Sequence, residues 1–174
     1  MNDEVIKFTE LSNFFPKQRE AQEASKRFKF VLFGGSVDNG NRRIIKKNMV
    51  YWLIKFFAKY KMRGIRAGLF CEDYVSLNDR HLTKIKYEFP SWLGKFNEQK
   101  HEFTLAPEYG GGIIAFRNLA EPENYLSVEF AIIGVDEINR NPKSTFDMLR
   151  SRHRWPGIKD VKFLAGCNPL GEAW

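Results

Sequence analysis

The side chains best placed for chemistry fall in three short stretches. The first lies between Phe28 and Arg43, where an apolar run reaches Gly34-Gly35-Ser36 and continues to Gly40-Asn41-Arg42. Gly35 and Gly40 have the G-x-x-x-x-G spacing of a phosphate-binding loop, whose backbone N–H groups hold phosphate oxygens at a helix N-terminus. That signature continues with Lys and then Ser or Thr; here the two positions are Asn41 and Arg42. The second stretch is Asp136-Glu137, two adjacent carboxylates delivered at the end of the apolar run Phe130–Val135. The third is Asn168-Pro169, directly after the apolar run that ends at Gly166.

Each stretch needs an element to hold it. Phe28–Phe33 alternates and then turns apolar, which predicts a strand in a covered sheet. A helix is expected from about Arg42 to Lys61, with apolar residues on more than one side and basic pairs at Arg43/Lys47 and Lys55/Lys59. Pro16 fits the first turn of an earlier helix running to about Lys26. Further strands are expected at Ile65–Cys71, Phe130–Val135 and Val161–Gly166, and a glycine-rich hairpin at 102–117. Two more helices are expected, 77–89 capped by Ser76 or Asn78, and a short one to Leu149 capped by Ser144. Strands separated by helices imply an α/β fold with a mainly parallel sheet, whose functional turns lie at the carboxyl ends of the strands. All three chemical stretches fall at such ends.

Composition narrows the field. The 174 residues suit one domain, and 16 Phe, 4 Trp and 6 Tyr supply a core. A net charge of +7 favours a polyanionic partner, nucleic acid or nucleotide phosphate. Cys71 and Cys167 have no metal-ligand spacing and read as buried thiols of a reducing compartment. No apolar run approaches a membrane span, and no signal pattern opens the chain.

With these stretches in order, the chain resembles the large terminase subunit of tailed bacteriophages. The resemblance rests on Phe14-Phe15-Pro16-Lys17-Gln18, the glycine loop, Phe70-Cys71-Glu72-Asp73-Tyr74, Glu88 to Gly94, Phe116-Arg117-Asn118-Leu119, Asp136-Glu137, Leu149 to Arg154 and Asn168-Pro169-Leu170-Gly171. It implies a P-loop NTPase-like three-layer sandwich, the ATPase domain of the motor that drives viral DNA into capsids. By position, Gln18 would read adenine, and Gly34, Gly35, Ser36, Gly40, Asn41 and Arg42 would line the phosphates. Asp136 would hold Mg2+, Glu137 would activate the attacking water, and Asn168 would couple nucleotide state to movement. Arg150, Arg152 or Arg154 would supply a cation to a neighbouring subunit or contact DNA, with Arg152 taken as the catalytic candidate; the alternative is a solvated basic helix end. The implied cofactors are ATP and Mg2+. The implied partners are double-stranded DNA, a portal, a small terminase subunit and further copies of the chain, in the cytoplasm of an infected bacterial host. The expected organisation is one terminase-like ATPase domain over 1–174, stopping short of a complete motor domain and without a nuclease.

The departures from the family pattern set a further expectation. The missing lysine cradles the β- and γ-phosphates and the missing hydroxyl holds magnesium. Asn41 is neutral and short, Arg42 repels a metal cation, and Asp38 adds negative charge to the loop. Losing one preorganised contact commonly costs about 3–4 kcal/mol of transition-state stabilisation. Weak or absent ATP hydrolysis is therefore expected. The alternatives are a non-catalytic terminase-like scaffold that binds DNA or packaging partners, and another P-loop ATPase such as a helicase.

Overall fold

A computed structural model describes residues 16–34 and 40–167. Helix α1 (Pro16–Arg27) starts on its proline, whose fixed φ suits a first helical turn. Strand β1 (Phe30–Gly34) follows, then the 21-residue helix α2 (Gly40–Tyr60). Residues 44–51 of α2 are buried without a break. An apolar helix of this kind needs cover on two sides. One side packs on the sheet, and α1 lies over the other, where Trp52 Nε1 donates to Ser25 Oγ across 3.0 Å.

The remaining strands are β2 (Arg66–Cys71), β3 (Gly94–Asn97), β4 (Glu102–Leu105), β5 (Ile113–Asn118), β6 (Ile132–Val135) and β7 (Lys162–Cys167). They form one sheet in the order β1-β7-β6-β2-β5-β4-β3. The first five in that order run parallel, and β4 and β3 add antiparallel pairs at the far edge. This is the expected α/β class with a mainly parallel sheet. The parallel register aligns Gly34 with Cys167, Val135 with Ala165, and Phe70 with Val135. The carboxyl ends of β1, β7, β6 and β2 therefore share one rim, where a ligand crevice is expected in an open α/β sheet.

Three expectations need correction. The helix expected over 77–89 is broken: α3 covers Tyr74–Arg80, a 3₁₀ turn follows at Leu82–Lys84, and α4 covers Ile85–Glu88. Its cap is Asp73, which accepts from Ser76 N at 2.7 Å, not Ser76 or Asn78. The break falls at His81, whose backbone leaves the helical region as its ring turns into the core. The helix expected from Ser144 begins at Lys143, after Pro142, with no side-chain cap, and runs on to Arg152 as α5. Strand β3 was not anticipated, because Gly94 reads as a helix stop. It forms through its partner: a Cβ on Gly94 would lie 2.2 Å from Thr104 O, so only glycine lets β3 and β4 approach.

Among the described residues, no helix is long and apolar enough to cross a membrane.

Candidate functional site

The rim gathers its charged groups around one carboxylate. Asp136 follows β6 directly, and its N–H donates to Phe70 O of β2 at 2.9 Å, which fixes the backbone. The side chain is buried, and three nitrogens converge on Oδ2, two at hydrogen-bond distance and one as a longer ion pair. Arg42 Nε from the first turn of α2 lies at 3.1 Å, His81 Nε2 at 3.2 Å and Arg80 Nη1 at 3.6 Å. Burial would raise the Asp136 pKa, but the His81 hydrogen bond and the arginine charges outweigh it and hold the carboxyl below its usual range. His81 is fully buried, and burial lowers its pKa, so the neutral ring donates through Nε2.

Glu137 sits in the left-handed region at φ 52°, ψ 55°. A non-glycine residue there carries strain, and such strain collects at functional sites. Its Oε1 lies 3.7 Å from Arg42 Nη2, so one guanidinium spans the acidic pair. A second layer supports the first. Glu72, just beyond β2, receives both Arg80 nitrogens at 2.8 and 3.0 Å and Arg140 Nη1 at 3.2 Å. Lys46, one helical turn after Arg42, is 1% exposed and pairs with Glu88. Burial lowers its pKa against the pull of Glu88. Within this rim, Asp136, Glu137 and Glu72 face Arg42, Arg80 and Arg140, so the charges balance.

Cys71 Sγ, a ring nitrogen of His81 and an Asp136 oxygen lie within 4.8 Å of one another. Burial, reinforced by Asp136 and Glu72, pushes the Cys71 thiol far above its usual range, so without a metal it stays protonated. Magnesium fares no better at Asp136. It demands oxygen ligands in near-octahedral array, whereas Oδ2 is committed to N–H donors and the helix position that would offer a hydroxyl holds Arg42. The residues present do not fit the metal.

The sequence-derived candidates are thus partly brought together. Arg42, Asp136 and Glu137 meet, and Gly34 ends β1 on the same rim. Gly40 and Asn41 open α2. Gly35, Ser36 and Asn168 lie outside the described residues. Gln18 is buried on the stripe of α1 that also carries Ala21, Gln22 and Ser25, the stripe that meets α2. Arg152 lies at the opposite end of β6: its carbonyl accepts from Phe130 N. Six extended residues, about 20 Å, separate Phe130 from Asp136, so Arg152 does not serve the acidic pair of its own chain. Its guanidinium instead donates to Leu126 O and Ser151 Oγ. Sequence reasoning missed His81, Arg80, Glu72 and the Lys46–Glu88 pair as parts of this rim. Only the Asp73 cap, which sets the start of α3, could have pointed to Arg80 and His81.

No protein-family model matches the sequence, and no curated protein matches it. Solved structures do. The large terminase of a thermophilic bacteriophage superposes with a TM-score of 0.75 at 15% identity, over 92% of this chain and 40% of that one. The same protein in complex with ADP gives 0.74 at 16% identity, over 91% and 39%. The large terminase ATPase domain of Thermus phage P74-26 gives 0.59 at 15% identity, over 94% and 71%. The chain therefore has the α/β fold of phage large terminase ATPase domains, and it spans about 40% of the length of the first of these proteins.

Proposed function

We propose that this chain is a nucleotide-binding domain of the large-terminase type, belonging to a viral DNA-packaging motor, in which ATP hydrolysis is weak or lost. One observation carries the reading. The carboxylate pair Asp136-Glu137 closes a central parallel strand and faces the first turn of the helix that follows β1 and its glycine loop. That is the geometry in which a polyphosphate lies between a helix N-terminus and a catalytic acid. The ADP complex of the thermophilic phage terminase supports a nucleotide as the ligand.

In this reading Gly34, Gly35, Ser36, Gly40 and Asn41 present backbone N–H groups to phosphate, and Arg42 supplies positive charge. Glu137 is the general-base candidate and Asn168 the coupling residue, while Gln18 would read the adenine ring. Arg152, remote from its own acidic pair, would act only on a neighbouring subunit. A net charge of +7 gives salt-dependent, sequence-independent attraction to double-stranded DNA. Portal, small subunit and self-assembly would belong to the same setting, inside an infected bacterium. The commitment of Asp136 to Arg42 and His81 favours the slow or non-hydrolysing form over an active motor.

Titration calorimetry with ATP tests the reading. Saturable binding in the micromolar to millimolar range is expected, with turnover that is slow and falls further in Glu137→Gln. Absence of binding at several millimolar ATP would remove the nucleotide from the reading and leave a scaffold for DNA or packaging partners.

A further inference from the structure

We infer that Arg42 is a built-in cation that takes the place of the divalent metal, so that this site receives a nucleoside di- or triphosphate without magnesium. The inference rests on the nucleotide reading above and specifies the form of its ligand. Its first support is position. Arg42 stands two residues past Gly40, where a phosphate-binding loop carries the hydroxyl that ligates magnesium. Its second is geometry: the guanidinium reaches both members of the acidic pair, Asp136 at 3.1 Å through Nε and Glu137 at 3.7 Å through Nη2. A planar guanidinium offers five donors in a fixed fork, so one that spans the two carboxylates through Nε and Nη2 keeps Nη1 for a phosphate oxygen.

The third support is the surrounding structure. His81 Nε2 and Arg80 Nη1 fill the remaining approaches to Asp136 Oδ2, and Glu72 clamps Arg80 from behind. A metal ligated by Oδ2 would have to displace a guanidinium and break a buried hydrogen bond to gain that oxygen. It would also add two positive charges where three carboxylates already face three guanidinium groups. Arg42 is a quarter exposed, unlike the buried Asp136, so it can turn toward a phosphate without disturbing the core.

Two measurements on the whole chain decide the matter. The first is Mn2+ binding without nucleotide, since ADP itself chelates the ion, followed by loss of the free-ion electron paramagnetic resonance signal. The wild-type chain is expected to leave Mn2+ free at submillimolar metal, as is Arg42→Lys, whereas Arg42→Thr restores a hydroxyl, uncovers Asp136 and binds it. The second is ADP affinity by calorimetry in Mg2+ and in EDTA. Wild type should bind at least as tightly in EDTA as in Mg2+. Arg42→Thr should lose about tenfold in EDTA, the scale of one charge-assisted phosphate contact, and recover with Mg2+. Mn2+ capture by the wild-type chain, or ADP affinity that needs Mg2+, would overturn the inference while leaving the nucleotide reading intact. ADP binding in neither condition by a folded chain would sink the nucleotide reading, and the metal-only titration would still judge the role of Arg42.

Discussion

At the scale of single residues, the rim is organised by burial of charge. Lys46 is the clearest case: a fully buried amine paired with Glu88, itself partly covered. Removing one member of such a pair leaves an uncompensated buried charge and typically costs about 3–5 kcal/mol, whereas replacing both with apolar groups is often neutral. Glu88→Ala is therefore expected to destabilise the chain by about 3 kcal/mol at neutral pH. The double variant Lys46→Met, Glu88→Leu should recover most of that loss, as urea denaturation would show. If Glu88→Ala proved neutral, the pair would have no structural role and the amine would be reaching water. The reading of Lys46 illustrates what the sequence hides. Arg43/Lys47 and Lys55/Lys59 stand out by spacing as basic faces, yet Lys46, one turn beyond Arg42, and Lys47 beside it are both drawn inward, while Arg43 stays exposed.

At the scale of elements, α2 and the strands beneath it fix the distance between Arg42 and Asp136. They approach closely at Gly134 in β6, where a Cβ would lie 2.6 Å from Ile45 Cγ2 and 3.0 Å from Met49 Sδ. Gly134→Ala should cost about 2 kcal/mol by overpacking. It should also tilt α2 off the sheet, weakening nucleotide binding even though no contact residue changes. Thermal melts and ADP titration check the two effects separately. The other end of α2 offers a gain. Lys61 follows the helix at φ 57°, exposed, with its N–H bonded to Phe57 O. Glycine is the usual residue for that left-handed position, so Lys61→Gly is expected to stabilise by about 1 kcal/mol, read as a raised melting temperature. Element existence was legible where periodicity is strong: β1, α2, β2, β6 and β7 follow from apolar runs closed by turns. The break at His81 was not legible, because Leu77 and Ile85 keep a helical rhythm across it; the ring leaves the helix to reach a carboxylate 55 residues further on. Strand β3 was hidden for the complementary reason, since four residues with little apolar character become a strand only when β4 lies alongside.

For the whole molecule, the acidic pair and the glycine loop were legible as motifs, while the second layer of Arg80, Glu72 and Arg140 depends on loops that only the sheet brings together. The same long-range packing buries two histidines whose titration couples to folding. His153, 4% exposed, lies edge-on to Phe30 and Phe163. Burial, aided by the charges of Lys29 and Lys162, lowers its pKa from 6.5 to about 4. A base whose folded pKa lies below its unfolded value binds protons more readily when unfolded. Stability therefore falls as the pH drops through the window between those two values. For His153 alone the loss should reach about 2 kcal/mol at pH 5 relative to pH 7. His81 is shifted in the same direction and adds to the slope. Asp136 acts separately: its depressed pKa gives stability above the unfolded carboxylate value, lost only as the pH falls further. Replacing His153 with Phe keeps the aromatic packing against Phe30 and Phe163 and removes the titrating group. Urea denaturation at pH 7 and pH 5 should then show a smaller decline for His153→Phe than for the wild-type chain. Equal declines would mean that the imidazole is protonated within the folded chain, and that the aromatic cluster around it opens to water before the rest of the sheet unfolds.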